Sequence, residues 1–169
     1  ADGNVVRRPT GSTDPLEWIG VFNHHALAEQ LVQQLVALDD RLSGCAPQAC
    51  HVEEQMAALG DVEFEYLTLN KINLQYCRGC LVCMKKGEEK CPCRDDAIML
   101  RDKMLSADGI VFISPVYVHT VSALMKNFYD RFAYLCHQPR FRDKAAMFVV
   151  TTELTGGKET LEYMRFPAF

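Results

Sequence analysis

The feature that most constrains this chain is a cysteine-rich stretch from Tyr76 to Asp96. Five of the eight cysteines in the sequence lie within it. These five are Cys77, Cys80, Cys83, Cys91 and Cys93. The first three recur at every third position, and the last two follow a short charged segment. A hydrophobic core does not require such spacing, because apolar packing follows the helix or strand period. A metal centre or a redox centre does require it.

Cysteines spaced by three can turn their sulfur atoms toward one point when the loop that carries them is tight and not helical. The Arg78-Gly79 pair predicts a turn within this loop, because glycine adopts positive φ without strain. Three converging thiolates and a fourth nearby match the ligands of a [4Fe-4S] cluster, and bacterial ferredoxins open with the same C-x2-C-x2-C run. We predict Cys91 as the fourth ligand, with Cys93 as the alternative. The predicted ligand set is Cys77, Cys80, Cys83 and Cys91.

Three other interpretations of these cysteines stay open at the level of sequence. They are a zinc knuckle, a disulfide pair and plain buried thiols. Structural zinc sites more often show two separated C-x2-C pairs, and this sequence does not contain that pattern. The spacing therefore favours the cluster over zinc.

Composition limits the class of protein. The chain has 169 residues and a net charge of −4, which predicts one domain over residues 16–169 after a loose arm at residues 1–15. No basic field indicates nucleic acid as a partner, and no apolar run is long enough to span a membrane. The first residues lack the apolar centre of a signal peptide. Clustered cysteines are more typical of metal or catalytic use than of a secreted scaffold, so we expect a cytoplasmic protein.

Hydrophobic patterning predicts strands that alternate with helices. The predicted strands are 16–22, 62–69, 109–114 and 145–152, and the predicted helices are 26–38, 51–59, 97–106, 122–135 and one that begins near 159. Such alternation indicates an α/β fold with a parallel sheet. Ligands of these sheets bind beyond the carboxyl ends of the strands. The loops after Phe22, Ser114 and Thr152 are therefore the expected ligand loops.

Several motifs in this order resemble a known family. They are the C-x-G-C-x-x-C run, Asp95-Asp96, the segment Ala-Asp-Gly-Ile-Val-Phe-Ile-Ser-Pro-Val-Tyr at 107–117, and Ser-Ala-Leu-Met-Lys-Asn-Phe-Tyr-Asp-Arg at 122–131. The sequence resembles the NADPH-dependent FMN reductase family, and within it the iron–sulfur flavoproteins. That resemblance implies a flavodoxin-like doubly wound parallel sheet in a three-layer α/β/α arrangement.

The resemblance also implies an FMN site at the carboxyl edge of the sheet. The flavin ring would rest on the loop that follows the third predicted strand, and the loop after the last strand would line its other side. The implied residues are Ser114, Pro115, Val116, Tyr117, Val118, His119, Thr152, Glu153, Gly156 and Gly157. A flavin needs backbone N–H groups at its polar edge and an apolar face, and the protein positions and tunes it.

The sequence departs from the family at two places. Relatives end the first strand in a Gly-Ser-Pro-Arg-like loop that wraps the FMN phosphate, whereas Asn23 and His24 are the only local candidates here. Either these residues hold the phosphate, or loop residues are missing from the sequence, or FMN is not bound. The gap of seven residues between Cys83 and Cys91 is also longer than relatives usually have.

These features together predict a flavin-dependent oxidoreductase that passes electrons between FMN and a [4Fe-4S] cluster. The alternatives are a cluster-free NAD(P)H-dependent FMN or quinone reductase and a zinc-stabilised binding module without a redox role. The family resemblance implies a homodimer or homotetramer. Candidate redox partners are ferredoxin, NAD(P)H as donor, quinones and oxygen species.

Overall fold

A computed structural model describes residues 18–23, 45–59, 62–138, 140–153 and 155–165. Its strands are β1 (Trp18–Asn23), β2 (Glu63–Thr68), β3 (Gly109–Tyr117), β4 (Thr120–Val121) and β5 (Ala145–Thr151). Its α-helices are α1 (Cys45–Leu59), α2 (Val82–Lys86), α3 (Ala97–Ser106), α4 (Ala123–Phe132) and α5 (Gly157–Arg165). Short 3-10 turns cover Leu69–Lys71, Glu88–Lys90 and Ala133–His137. The predicted arm at 1–15 and the helix at 26–38 lie outside the described residues.

The central strand β3 confirms the prediction made from its apolar run. Residues 109–115 are buried, as expected for a strand covered on both faces. β3 pairs with β1 on one side and with β5 on the other, and β2 adds to the far side of β1. In the described residues β2 pairs with β1 alone, which fits the edge position that its alternating sequence indicates.

Helices cover the sheet on both faces. Ile110 and Phe112 belong to one large buried cluster that includes residues of α3, α4 and α5. Val111 and Ile113 are buried as well, and they point to the opposite face because successive strand side chains alternate. Helix α1 packs against β1, β3 and β5. This is the expected three-layer α/β/α class.

The direction of β1 corrects the prediction of a fully parallel sheet. β3 and β5 are parallel as expected, but β1 is antiparallel to both β2 and β3. An apolar run carries no information on direction, because the connections and the pairing of the neighbouring strands set it. Asn23 therefore pairs with Glu63 at the start of β2, at the edge opposite the carboxyl ends of β3 and β5. The expectation that Asn23 lies beside the other ligand loops is wrong, and His24 is outside the described residues.

Two helix boundaries also differ from expectation. Helix α1 begins at Cys45 and not at residue 51, because Pro47 falls in the first turn, where proline is tolerated. Cys83 lies in helix α2, so the prediction of a non-helical loop holds for Cys77 and Cys80 only. None of the helices described is both long enough and apolar enough to cross a bilayer.

Candidate functional site

All five cysteines of the cysteine-rich stretch line one cavity of about 260 Å³. Three residues with positive φ turn the backbone so that these cysteines come together. Gly79 has φ of 64°, as the predicted turn requires, and Leu81 and Gly87 also have positive φ. These turns fold the chain back on itself between Cys77 and Cys91. The structure therefore places the predicted ligands and the alternative Cys93 around the same space.

The loop before Cys91 is held by ion pairs. The Glu88 carboxylate is buried and accepts hydrogen bonds from Arg101 at 3.0 Å and from Arg140. Burial alone would raise the pKa of Glu88, but its own backbone N–H and the Arg140 guanidinium outweigh burial and lower it. The Cys91 N–H donates to the Glu88 carbonyl oxygen at 3.0 Å. Glu88 thus fixes the position of Cys91.

The thiols influence one another electrostatically. Burial raises the pKa of the Cys83 thiol, and the neighbouring Cys91 and Cys77 raise it further. Burial also raises the pKa of Cys93, where the positive charge of Arg131 opposes it and Cys91 reinforces it. Crowded thiolates without a metal are unfavourable, and a bound cationic centre relieves that cost.

Cys91 and Cys93 have different surroundings. Cys91 is half-buried, whereas Cys93 is 7% exposed and its thiol donates to the Tyr76 carbonyl oxygen at 3.7 Å. The Cys93 thiol proton is thus engaged in a hydrogen bond within the protein. The position of Cys91 is instead fixed through its backbone N–H, which donates to the Glu88 carbonyl oxygen.

The donor set fits a cluster better than a single ion. Within the described ranges, no three Cys, His, Asp or Glu side chains form a group that could hold one metal ion. Zinc binds thiolates at about 2.3 Å, so its four donors must converge on one point. A [4Fe-4S] cluster takes four thiolates at separate irons. Thiols spread around a shared cavity match the ligand arrangement of a [4Fe-4S] cluster.

Helix α4 joins the cysteine cavity to the predicted flavin loops. The Ser122 hydroxyl caps this helix by accepting from the Met125 N–H at 3.2 Å, and the Ser122 N–H donates to the buried Ser114 hydroxyl at 3.3 Å. Further along, the Asn127 side chain donates to the Leu74 carbonyl oxygen at 3.0 Å. The helix therefore contacts β3 at its start and the segment before Cys77 near its middle.

The two predicted flavin loops lie next to each other. Parallel pairing sets Pro115 opposite Thr151, so the carboxyl ends of β3 and β5 meet at one edge. A Cβ atom at Gly156 would lie 2.9 Å from His119 Nδ1 and 3.0 Å from His119 Cα. The close approach of these loops needs a residue without a side chain at position 156. All ten predicted flavin-contacting residues lie in these two segments.

The hairpin tip between β3 and β4 is strained and exposed. Val118 and His119 both have positive φ, at 51° and 60°, which is unfavourable for a β-branched residue. Sequence reasoning missed this hairpin, because two-residue turns of this kind usually carry Asn-Gly. Val118 is 94% exposed and Tyr117 is 47% exposed. An apolar surface is thus presented beside the two loops.

Lys126, Asp130 and Cys136 do not line the cysteine cavity. Lys126 and Asp130 form an ion pair on the exposed face of α4. The side chains of Cys45 and Cys50 fall outside the described residues, and Cys136 is exposed.

Known proteins place these features in a family. A family model described as NADPH-dependent FMN reductase matches residues 41–167. An iron-sulfur flavoprotein of Methanocaldococcus jannaschii is 38% identical over 112 residues, which cover 64% of this chain and 57% of that protein. Iron-sulfur flavoproteins of Archaeoglobus fulgidus and Clostridioides difficile are 36% and 33% identical over 99 and 106 residues, covering 59% and 62% of this chain and 43% and 46% of those proteins.

The chain spans about half the length of the curated relatives it matches. Strand β1, whose direction differs from expectation, precedes the residues matched by the family model. Since the matched segment contains the cysteine cavity, both predicted flavin loops and helix α4, the chain belongs to the NADPH-dependent FMN reductase family, with a flavodoxin-like α/β fold.

Proposed function

We propose that the chain is a flavin-dependent oxidoreductase that passes electrons between FMN and a [4Fe-4S] cluster. Cys77, Cys80, Cys83 and Cys91 are the proposed cluster ligands. The observation that carries the proposal is the gathering of these thiols around one cavity. The names of the similar flavoproteins support the same combination of cofactors.

The proposed FMN site is the pair of loops at the carboxyl ends of β3 and β5. Bound FMN would supply hydride exchange with a nicotinamide and single-electron exchange with a metal centre. The protein's part is to hold the ring against residues 114–119 and 152–157. The buried Ser114 and the narrow contact at Gly156 keep these segments in place, and the exposed Tyr117 offers an aromatic surface.

The proposal extends to donor and assembly. NAD(P)H is the proposed electron donor, which the family description supports. A homodimer or homotetramer would cover the apolar hairpin tip at Tyr117 and Val118. Ferredoxin, quinones and oxygen species are the other proposed redox partners, and the cytoplasm is the proposed compartment.

The first test is chemical analysis of protein purified without oxygen. We expect about four irons with matching sulfide per chain, together with one FMN, and we expect Cys80→Ser to lose the iron. Cys136→Ser is the matched control, because Cys136 is exposed and lies outside the cavity. A wild-type protein with FMN and no iron would reject the cluster.

A second pair of variants identifies the fourth ligand. We expect Cys91→Ser to lose iron and Cys93→Ser to keep it, because the Cys93 thiol is engaged by the Tyr76 carbonyl. The visible absorption of the cluster and the iron content report the result. Loss of iron from Cys93→Ser alone would make Cys93 the ligand.

A cluster-free NAD(P)H-dependent FMN or quinone reductase is the second candidate. The family description supports it, because that description names NADPH and FMN and no cluster. Flavin bands without cluster absorption, and NAD(P)H oxidation that persists in Cys80→Ser, would support it. Zinc at one ion per chain without flavin would instead support a binding module.

A further inference from the structure

Arg131 is a buried cation in the wall of the cysteine cavity. Its side chain is 3% exposed, whereas Arg78 and Arg94, which line the same cavity, are exposed at the surface. Burying a guanidinium is unfavourable unless other groups compensate its charge. The buried charge of Arg131 therefore requires a compensating partner, and it is close enough to act on groups in the cavity.

Asp95 supplies the compensation. One Arg131 N–H donates to Asp95 Oδ1 at 2.9 Å, and another donates to the Gln75 carbonyl oxygen at 3.3 Å. The Asp95 carboxylate is equally buried, at 1% exposed. These bonds join α4 to the residues that flank Cys77 and Cys93. The guanidinium is consequently held in one orientation.

The Asp95 carboxylate has further donors of its own. It accepts from the Gln75 N–H at 2.8 Å and from the Ala97 N–H at 3.2 Å. Ala97 is the first residue of α3, so the positive end of that helix also stabilises the carboxylate. Because several groups share the negative charge of Asp95, the positive charge of Arg131 still acts on the cavity.

We propose that Arg131, oriented by Asp95, compensates the negative charge of the cysteine centre and raises the reduction potential of the cluster bound there. Four thiolates outweigh the positive charge of a cluster core, and reduction adds another negative charge. A buried cation nearby favours the reduced state, since net charge is one of the factors that set cluster potentials. The inference rests on the proposed function.

The test is an anaerobic redox titration of iron-loaded protein, followed by visible absorption and electron paramagnetic resonance. We expect Arg131→Met to lower the midpoint potential and Arg131→Lys to stay close to wild type, because lysine retains the charge. Lys103→Met is the control, since Lys103 pairs with Glu65 and does not line the cavity. Its potential should not change.

Arg131→Gln provides an independent arm, because it removes the charge and keeps an amide that can donate to Asp95. We expect its potential to fall as in Arg131→Met, and this variant decides the question if Arg131→Met does not fold. An unchanged potential in an Arg131→Met protein with full iron content overturns the inference, and so does a lowered potential in Arg131→Lys that equals that of Arg131→Met. Wild-type protein without iron overturns the proposed function itself, and that result is read before any variant is made.

Discussion

Two glycines that are adjacent in sequence illustrate how one residue can fix the flavin loops. Gly156 has φ of 88°, and an added Cβ would approach the backbone of His119 to 3.0 Å. At Gly157 the nearest atom to an added Cβ is Thr152 Cγ2, at 3.2 Å. Backbone cannot move aside as a side chain can. Position 156 is therefore restricted, and position 157 is more tolerant.

We expect Gly156→Ala to lower the free energy of unfolding by about 1–3 kcal/mol, from strained φ and a clash with backbone. Gly157→Ala is the matched control and should change it by less than about 1 kcal/mol. Urea unfolding of both variants measures the difference. Equal effects at the two positions would contradict the close approach of the loops.

Val118 is strained by its positive φ, so a substitution that relieves the strain should stabilise the protein. We expect Val118→Gly to raise the free energy of unfolding of flavin-free protein by about 1 kcal/mol, because glycine adopts positive φ without the clash that a Cβ creates. Val118→Ala keeps a Cβ and is the control, and the 94% exposure of Val118 means that truncation loses little burial. A gain from alanine as large as that from glycine would argue against strain as the cause.

At the scale of elements, the loop that carries Cys91 depends on one carboxylate. Glu88 lies in the Glu88–Lys90 turn and connects it to Arg101 in α3 and to Arg140. Residues from three separate parts of the sequence thus meet at one buried group. The charged residues of this loop would otherwise favour solvent. The loop therefore keeps its shape because Arg101 and Arg140 hold Glu88.

The lowered pKa of Glu88 predicts a specific dependence on pH. A carboxyl whose pKa is depressed in the folded state contributes stability above its unfolded pKa, and this contribution is lost as pH falls through the folded pKa. We expect Glu88→Gln to lower the free energy of unfolding at pH 7 by about 1–3 kcal/mol. The difference from wild type should shrink below the ordinary glutamate value of 4.5.

Urea unfolding between pH 7 and pH 3 measures this effect. Glu89→Gln is the control, because the Glu89 side chain is 63% exposed although it also contacts Arg101. Its effect should be small across the range. A loss in Glu88→Gln that stays constant as pH falls would contradict the assignment of the shift to the ionised carboxylate.

At the scale of the whole molecule, ligand binding links the two loops to global stability. A ligand that binds only the folded state adds RT ln(1 + [L]/Kd), or about 2.7 kcal/mol at one hundred times Kd. We expect FMN to raise the unfolding temperature, and above Kd the rise should follow the logarithm of the FMN concentration. Gly156→Ala should reduce the rise in unfolding temperature that FMN causes. Lys71→Ala, at an exposed position outside both flavin loops, should leave that rise unchanged. Absence of any shift with FMN would contradict the proposed site.

The sequence by itself determined most of the elements and the chemistry of the donors. The apolar run at 109–114 predicted the buried central strand, because only a strand covered on both faces needs continuous apolar residues. The predicted helices at 97–106 and 122–135 correspond to α3, which begins at Ala97, and to α4, which begins at Ala123. The cysteine spacing indicated a metal or redox centre, because sulfur at every third residue has no use in a core.

Tertiary structure alone decided how these parts are arranged. The direction of β1 depends on which neighbours it pairs with, and no local pattern encodes that choice. The pairing of Arg131 with Asp95 joins residues that are 36 positions apart, so spacing could not reveal it. The contact between Gly156 and His119 likewise exists only because β3 and β5 end at the same edge. Local periodicity records burial, whereas long-range partners are set by packing of the whole chain.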